Sequence, residues 1–314
     1  MLTKTELEAI AQLQFFASDV VQGLAIGHHL SPHRGTSMQF KEHRAYVAGD
    51  EIRTLDWKLF GKTDRLYVKQ FEDESNLRCM ILVDHSGSMA YGEEGSSARY
   101  RDASYHDGEP GAANKLEFAV RIAACMATLL IKQQDAVGLA SLSNEGAKIL
   151  PPRSTPNYLK NLMTELATLS PSTPGDSQSS EAVCSSVEQG ADLLTASDFV
   201  VFISDCFESV EELVAALKVY RTRRRRVLVL QVLHPDELEF PFRQQVQFQS
   251  LESAYRKKVN TRAFRRTYLQ RFKEFQVQLS GHLKQNRIDF LQFTTDQSLR
   301  QVLSEIVGYY ERRK

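Results

Sequence analysis

Two apolar runs, far apart in the chain, each end in an aspartate: "LRCMILVD" over 77–84 and "DFVVFISD" over 198–205. Unbroken apolar runs of this kind suit strands covered on both faces, which is how parallel strands are buried. Parallel strands need crossover connections, usually helical. The sequence between and after the two runs supplies them. It predicts a helix over 115–133, strands at "AVGLASLS" and "GAKILPP", a helix from about Thr155 to Leu169 and another over about 181–195. Beyond 205 come a helix over 208–221, the strand "RRVLVLQVL" (225–233) and a return segment with Pro235 and Pro241. A long helix (about 261–286), the strand "IDFLQFTT" (288–295) and a terminal helix close the chain. Alternation of strands and helices predicts an α/β fold with an open, mostly parallel sheet and helices on both faces. Ligands of such sheets bind beyond the carboxyl ends of the strands, near the switch in strand order. Both aspartates fall at such ends.

Leu7, Ile10, Leu13, Phe16, Val20 and Leu24 recur at helical spacing, which predicts a helix over 5–25. Residues 27–75 are polar and irregular, with short strand-like pieces such as "RLYVKQF". The expected division is an N-terminal helix and extension (1–75) packing on an α/β core (76–314), with an irregular insertion around 234–260. "YGEEGSSARYRDASYHDGEPGAAN" (91–114) reads as a loop.

The 39 basic and 39 acidic residues balance, so no global field argues for nucleic acid or a membrane surface. The longest apolar stretch, "FAVRIAACMATLLI", contains Arg121 and is too short to span a bilayer. Cys79, Cys125, Cys184 and Cys206 form no CxxC pair, and three lie in apolar runs. They read as reduced core residues of a cytoplasmic protein.

The turn after the first run is Asp84-x-Ser86-x-Ser88. Alternate side chains in a tight turn converge, and carboxylate and hydroxyl oxygens are hard ligands suited to Mg²⁺ or Mn²⁺. Asp205, at the second strand end, would add another oxygen. So few carboxylates leave the ion electropositive, ready to take an acidic side chain from a partner. Spacing alone equally accommodates an Asp and Ser pair that merely caps the turn.

Signs of an enzyme are few. His85 stands where a G-x-S-x-G elbow needs glycine, and no G-x-x-x-x-G-K-[ST] loop is present. Asp84 as a phosphoryl acceptor, in a metal-dependent phosphoester hydrolase, would want a second acid where Ser86 stands. A non-catalytic role is expected. "GDEIRTLDW" reads as an internal salt-bridge and packing network with Trp57 covering a sheet edge. "RTRRRR" (221–226) reads as a solvated helix end, and His28, His29 and His33 as surface residues.

"VDHSGSM" resembles the DxSxS metal-ion-dependent adhesion site of von Willebrand factor A domains. The longer run "FKEHRAYVAGDEIRTLDWKLFGKTDRLYVKQFEDESNLRCMILVDHSGSM" (40–89) resembles the signature of the bacterial family known as domain of unknown function 58, in Tyr46, Gly49, Asp50, Arg53, Asp56 and Trp57. The likeness continues through "DAVGLASLS", "LPPRS", "FISD" and "VLVLQVLHPDELEFPF". It implies a Rossmann-like, von Willebrand A-type domain. It further implies a non-catalytic adaptor or chaperone role beside a MoxR-type AAA+ ATPase and its client protein. Asp84, Ser86 and Ser88 match the family's first metal loop and Asp205 its third. The second loop departs: the family's threonine in a G-G-x-T-D context has no clear counterpart in "LATLSPSTPGDSQSSEAV". Thr173, Ser179 and Ser180 are the candidates for its hydroxyl.

Overall fold

The structure is a computed structural model. It describes residues 4–27, 39–45, 57–63, 65–72, 77–92, 105–106, 109–110, 114–143, 146–172, 184, 187, 199–221, 225–242, 245–251 and 255–311. Helix α1 (Lys4–Gly27) is followed by an antiparallel pair, β1 (Gln39–Ala45) and β2 (Tyr67–Glu72), with the short α2 (Trp57–Thr63) between them in sequence. Next come β3 (Arg78–Asp84), the two-residue strands β4 (Tyr105–His106) and β5 (Glu109–Pro110), and α3 (Lys115–Lys132). The chain continues through β6 (Ala136–Ser143), β7 (Gly146–Arg153), α4 (Pro156–Thr168), β8 (Phe199–Ser204), α5 (Val210–Arg221) and β9 (Arg226–Leu233). It ends with α6 (Pro235–Glu239), β10 (Gln245–Gln249), β11 (Arg256–Asn260), α7 (Thr261–Gln285), β12 (Asp289–Thr294) and α8 (Leu299–Glu311).

Among the described residues the central sheet has six strands in the order β12-β9-β8-β3-β6-β7. All neighbours are parallel except β7, which runs antiparallel on the edge beside β6. From β3 the chain steps outward through β6 to β7, then crosses back to β8 and leaves through β9 to β12. That reversal is the doubly wound arrangement, and its crevice opens at the carboxyl ends of β3 and β8. The fold is thus of the α/β class expected, an open, mostly parallel sheet with helices on both faces.

Period-two alternation explains why the strand sequences are apolar throughout. In β3, Cys79, Ile81 and Val83 enter one core cluster, built with α1, α3, α4 and α8. Met80 and Leu82 enter the other, built with α5 and α7. The strands β8 and β9 divide in the same way: Val201 and Leu230 face the first cluster, Phe202 and Val229 the second. Each such fully buried side chain contributes about 1.5–3 kcal/mol. Helix α1 contributes Ile10, Ala17, Val20 and Val21 to the first cluster. Gly138 in β6 lies so close to β7 and β3 that a Cβ there would meet Leu150 O and Met80 Sδ at 2.8 Å.

Three expectations need correction. The insertion around 234–260 is not irregular: it holds α6 and the antiparallel hairpin β10–β11. Trp57 does not pack over a sheet edge. It is 60% exposed and meets Phe60 edge-on at 6.3 Å. Arg225 is not solvated but fully buried, its guanidinium 6.0 Å from the Tyr220 ring. Tyr46, Gly49, Asp50, Arg53, Asp56, His28, His29 and His33 lie outside the described residues. All four cysteines are buried. No helix among the described residues is long and apolar enough to cross a membrane.

Candidate functional site

Strand β3 delivers Asp84 to its last position, and the chain then tightens into a 3-10 turn over Gly87–Ala90. Ser86 N–H donates back to Asp84 Oδ1 at 2.8 Å, closing a two-residue loop around the carboxylate. The hydroxyls of Ser86 and Ser88 lie 3.1 Å apart, so alternate side chains do converge. The neighbouring strand β8 ends in Ser204, whose hydroxyl donates to Asp84 Oδ2 at 2.7 Å. Each carboxylate oxygen has two lone pairs, so both retain acceptor capacity after these bonds.

Asp205 follows directly. Its own carbonyl is fixed by the buried Gln231 of β9, whose Nε2 donates to it at 2.9 Å. Cys206 then adopts the left-handed region, φ 59°, turning the chain sharply away from the sheet. Asp84 and Asp205 are both completely buried. Burial, with the Asp205 charge adding to it, raises the Asp84 carboxyl from 3.8 to about 6 against the hydrogen bonds that favour its anion.

A buried lysine is the feature that sequence reading missed. Lys115, at the start of α3, places Nζ 2.7 Å from Asp205 Oδ2 and 2.8 Å from Glu237 Oε1. Among the described residues its bonds go to these two acids and none goes to Asp84. Burial alone would lower its pKa, but Asp205 and Glu237 outweigh that and hold it above the ordinary lysine value. Lysine is almost never fully buried unless paired. Asn114 caps the same helix end by accepting from Glu117 N–H at 2.8 Å.

Glu237 belongs to a reciprocal cap on α6. Its Oε2 accepts from His234 N–H at 2.7 Å, while His234 Nδ1 accepts from Asp236 N–H at 3.2 Å. Burial, with Lys115 adding to it, lowers the His234 pKa despite the opposing Asp236 charge, which suits an accepting, neutral imidazole. Tyr91, at the end of the first loop, donates its hydroxyl to Asp236 Oδ2 at 3.1 Å. One polar network therefore ties the loops after β3, β8 and β9 together.

The loop after α4 also reaches this end of the sheet. Ser172 donates to the His85 carbonyl through both N–H (2.9 Å) and Oγ (3.1 Å). His85 Nδ1 lies 3.0 Å from Ser170 O, where it must act as the donor. Thr173, Ser179 and Ser180 lie outside the described residues. The structure thus brings Asp84, Ser86, Ser88 and Asp205 to one place and adds Ser204, Lys115 and Glu237.

The donor set fits a hard cation at Asp84, Ser86 and Ser88, where a buried anion and two adjacent hydroxyls lack a counter-ion among the described residues. It fits less well at Asp205, which already has one. Among the described residues no group of three or more His, Cys, Asp or Glu side chains is gathered as a softer or all-acidic metal site.

The chain is similar to several known proteins. Uncharacterized protein Mb1516 of Mycobacterium bovis and Uncharacterized protein Rv1480 of Mycobacterium tuberculosis are each 22% identical over 245 residues, 78% of this chain and 70% of the relative. Among solved structures, BatB from Bacteroides thetaiotaomicron is 16% identical with a TM-score of 0.46, over 75% of this chain and 99% of that one. An aerotolerance-related membrane protein from Bacteroides fragilis gives 17% and 0.47, over 74% and 99%. The SpRpn10 VWA domain gives 11% and 0.37, over 73% and 94%. The family described as Protein of unknown function DUF58 matches residues 42–278, most of the chain, and this protein is a member of that family.

Proposed function

We propose that this chain is a non-catalytic protein-interaction module whose crevice, at the carboxyl ends of β3 and β8, binds one divalent cation, Mg²⁺ or Mn²⁺, through Asp84, Ser86 and Ser88. Asp205 stands behind them, and Thr173, Ser179 and Ser180 are candidates for a further hydroxyl. One observation carries the reading: Asp84 is a fully buried carboxylate beside a second acid, and all its hydrogen-bond partners among the described residues are neutral. Burying such a charge is costly, and a cation offsets that cost directly. Bound there, the ion supplies an open coordination position for a carboxylate of a partner protein. The family resemblance suggests a MoxR-type AAA+ ATPase and its client as that partner, with this chain as adaptor or chaperone.

Lys115 favours a second reading. It already neutralises Asp205, so a scaffold free of metal, with Asp84 protonated or simply strained, is self-consistent. Calorimetric titration of the full chain with Mg²⁺ and Mn²⁺ separates the two. Saturable binding that is abolished in Asp84→Asn supports the metal site. Absence of heat in the parent protein leaves only the scaffold. Affinity capture from the native cell with and without EDTA then reads out whether an ATPase depends on the ion.

A further inference from the structure

The stretch "YRKKVNTRAFRRTYLQRFK" (255–273) holds eight basic residues and no acidic one, in a chain whose formal charge is zero. It forms β11 and the first half of α7, and its charged side chains are exposed. On α7, Arg262, Arg266 and Lys273 are spaced i, i+4 and i+11, which puts them on one stripe. None of the three forms an ion pair among the described residues. Arg265 is used internally, donating to Glu239 O at 2.8 Å and Phe240 O at 3.1 Å.

The opposite face of the helix is tied to the rim of the cation site. Phe207, two residues beyond Asp205, packs on Phe272 and Phe275 with ring centroids 6.3 and 6.0 Å apart. Tyr268 donates its hydroxyl to Glu237 O at 2.9 Å. Glu237 in turn holds Lys115. The basic stripe is therefore carried on the helix that buttresses the loops holding Asp205 and Glu237. Phe207 and Phe264 stay 41% and 43% exposed.

We propose that β11 and the exposed stripe of α7 are a docking surface for an acidic segment of a partner polypeptide. The inference rests on the reading of the cation site, and it names the partner's chemistry: one carboxylate completes the cation, and further acids in the same segment meet Arg262, Arg266 and Lys273. The stripe from Arg262 to Lys273 rises about 17 Å along the helix, a length that about five extended residues cover. Charge complementarity selects the occupant. A nucleic acid, with a phosphate at every step, would run past Glu274 beside the stripe and Glu211, which Gln278 holds at 3.0 Å. An acidic polypeptide can space its charges to match.

The test uses the full chain and a fluorescein-labelled peptide of alternating Glu and Gly, with Mg²⁺ present, read by fluorescence anisotropy. The triple variant Arg262→Glu, Arg266→Glu, Lys273→Glu is expected to bind the peptide about ten-fold more weakly or worse, since like charges now face each other across the surface. Its circular dichroism and its Mg²⁺ titration should match the parent. The corresponding triple glutamine variant should lose less. Equal peptide binding by parent and charge-reversed variant overturns the proposal, as does failure of the parent to bind the peptide at all. Tighter binding of labelled oligodeoxythymidine or of phosphatidylserine vesicles than of the peptide also overturns it. If the parent shows no Mg²⁺ binding but still needs the three basic residues for the peptide, the cation reading fails while the docking surface stands.

Discussion

Replacing Asp84 with asparagine should stabilise the metal-free protein near neutral pH, although the residue is wholly buried and accepts two hydrogen bonds. The carboxyl is raised from 3.8 to about 6, by burial first and by Asp205 second. A rise of about two units makes the ionised form cost the folded state about 3 kcal/mol. Asparagine removes that cost. It also replaces one acceptor oxygen with an NH₂ group, so either Ser86 N–H or the Ser204 hydroxyl loses its present bond, at about 1 kcal/mol. The net expectation at pH 7.5 in EDTA is a gain of about 2 kcal/mol. The sign follows from proton binding. Between 3.8 and about 6 the folded state binds more protons at this site than the unfolded state. Stability from this group is thus fully present below 3.8 and is lost as pH rises through about 6. The gain of the variant should therefore vanish in acid. Urea unfolding of both proteins in EDTA, at about pH 7.5 and about pH 4, measures it. A variant destabilised by the same amount at both pH values would refute the reasoning, because Asp84 would then carry no charging penalty.

Lys115→Met leaves the buried Asp205 and the partly buried Glu237 without their counter-ion and should cost about 3–5 kcal/mol in the same urea assay. It also frees Asp205, so a Mg²⁺ titration of the variant should show tighter binding than the parent; unchanged affinity would mean that Lys115 does not compete for that carboxylate. Gly138→Ala puts a Cβ 2.8 Å from Leu150 O and Met80 Sδ and 2.9 Å from Pro152 N. Two of these atoms are backbone, so the strands must shift, and a loss of about 1–3 kcal/mol is expected. Generic phosphomonoesters with Mg²⁺ or Mn²⁺ should not be turned over, and turnover abolished in Asp84→Asn would overturn the non-catalytic assignment.

The strands were legible because a sheet covered on both faces leaves no polar alternation to confuse the reading. "CMILV" (79–83) and "FVVFI" (199–203) are unbroken for that reason, and the adjacency of their strands puts Asp84 and Ser204 in hydrogen-bond contact. The first metal loop was legible because Asp84, Ser86 and Ser88 are neighbours in sequence. Lys115 was not, because its partners lie 90 and 122 residues away and nothing local distinguishes a lysine in the first turn of a helix from a solvated one. A trace existed in "HPDE", whose His234 and Glu237 have the spacing of a capping box. The hairpin β10–β11 left a trace too, since "QVQFQ" alternates strictly; the neighbouring prolines drew attention to turns instead. Trp57 and Arg225 ran against residue-type expectation in opposite directions, an exposed tryptophan and a buried arginine, because tertiary contacts decide burial at single positions.

Crystals of the full chain soaked in Mn²⁺ and measured at the manganese absorption edge give the most direct view of the edge of β3. The account predicts an anomalous peak at direct bonding distance from the Asp84 carboxylate and the Ser86 and Ser88 hydroxyls. No peak there, with Lys115 still bridging Asp205 and Glu237 and Asp84 bonded only to Ser86 and Ser204, would contradict it.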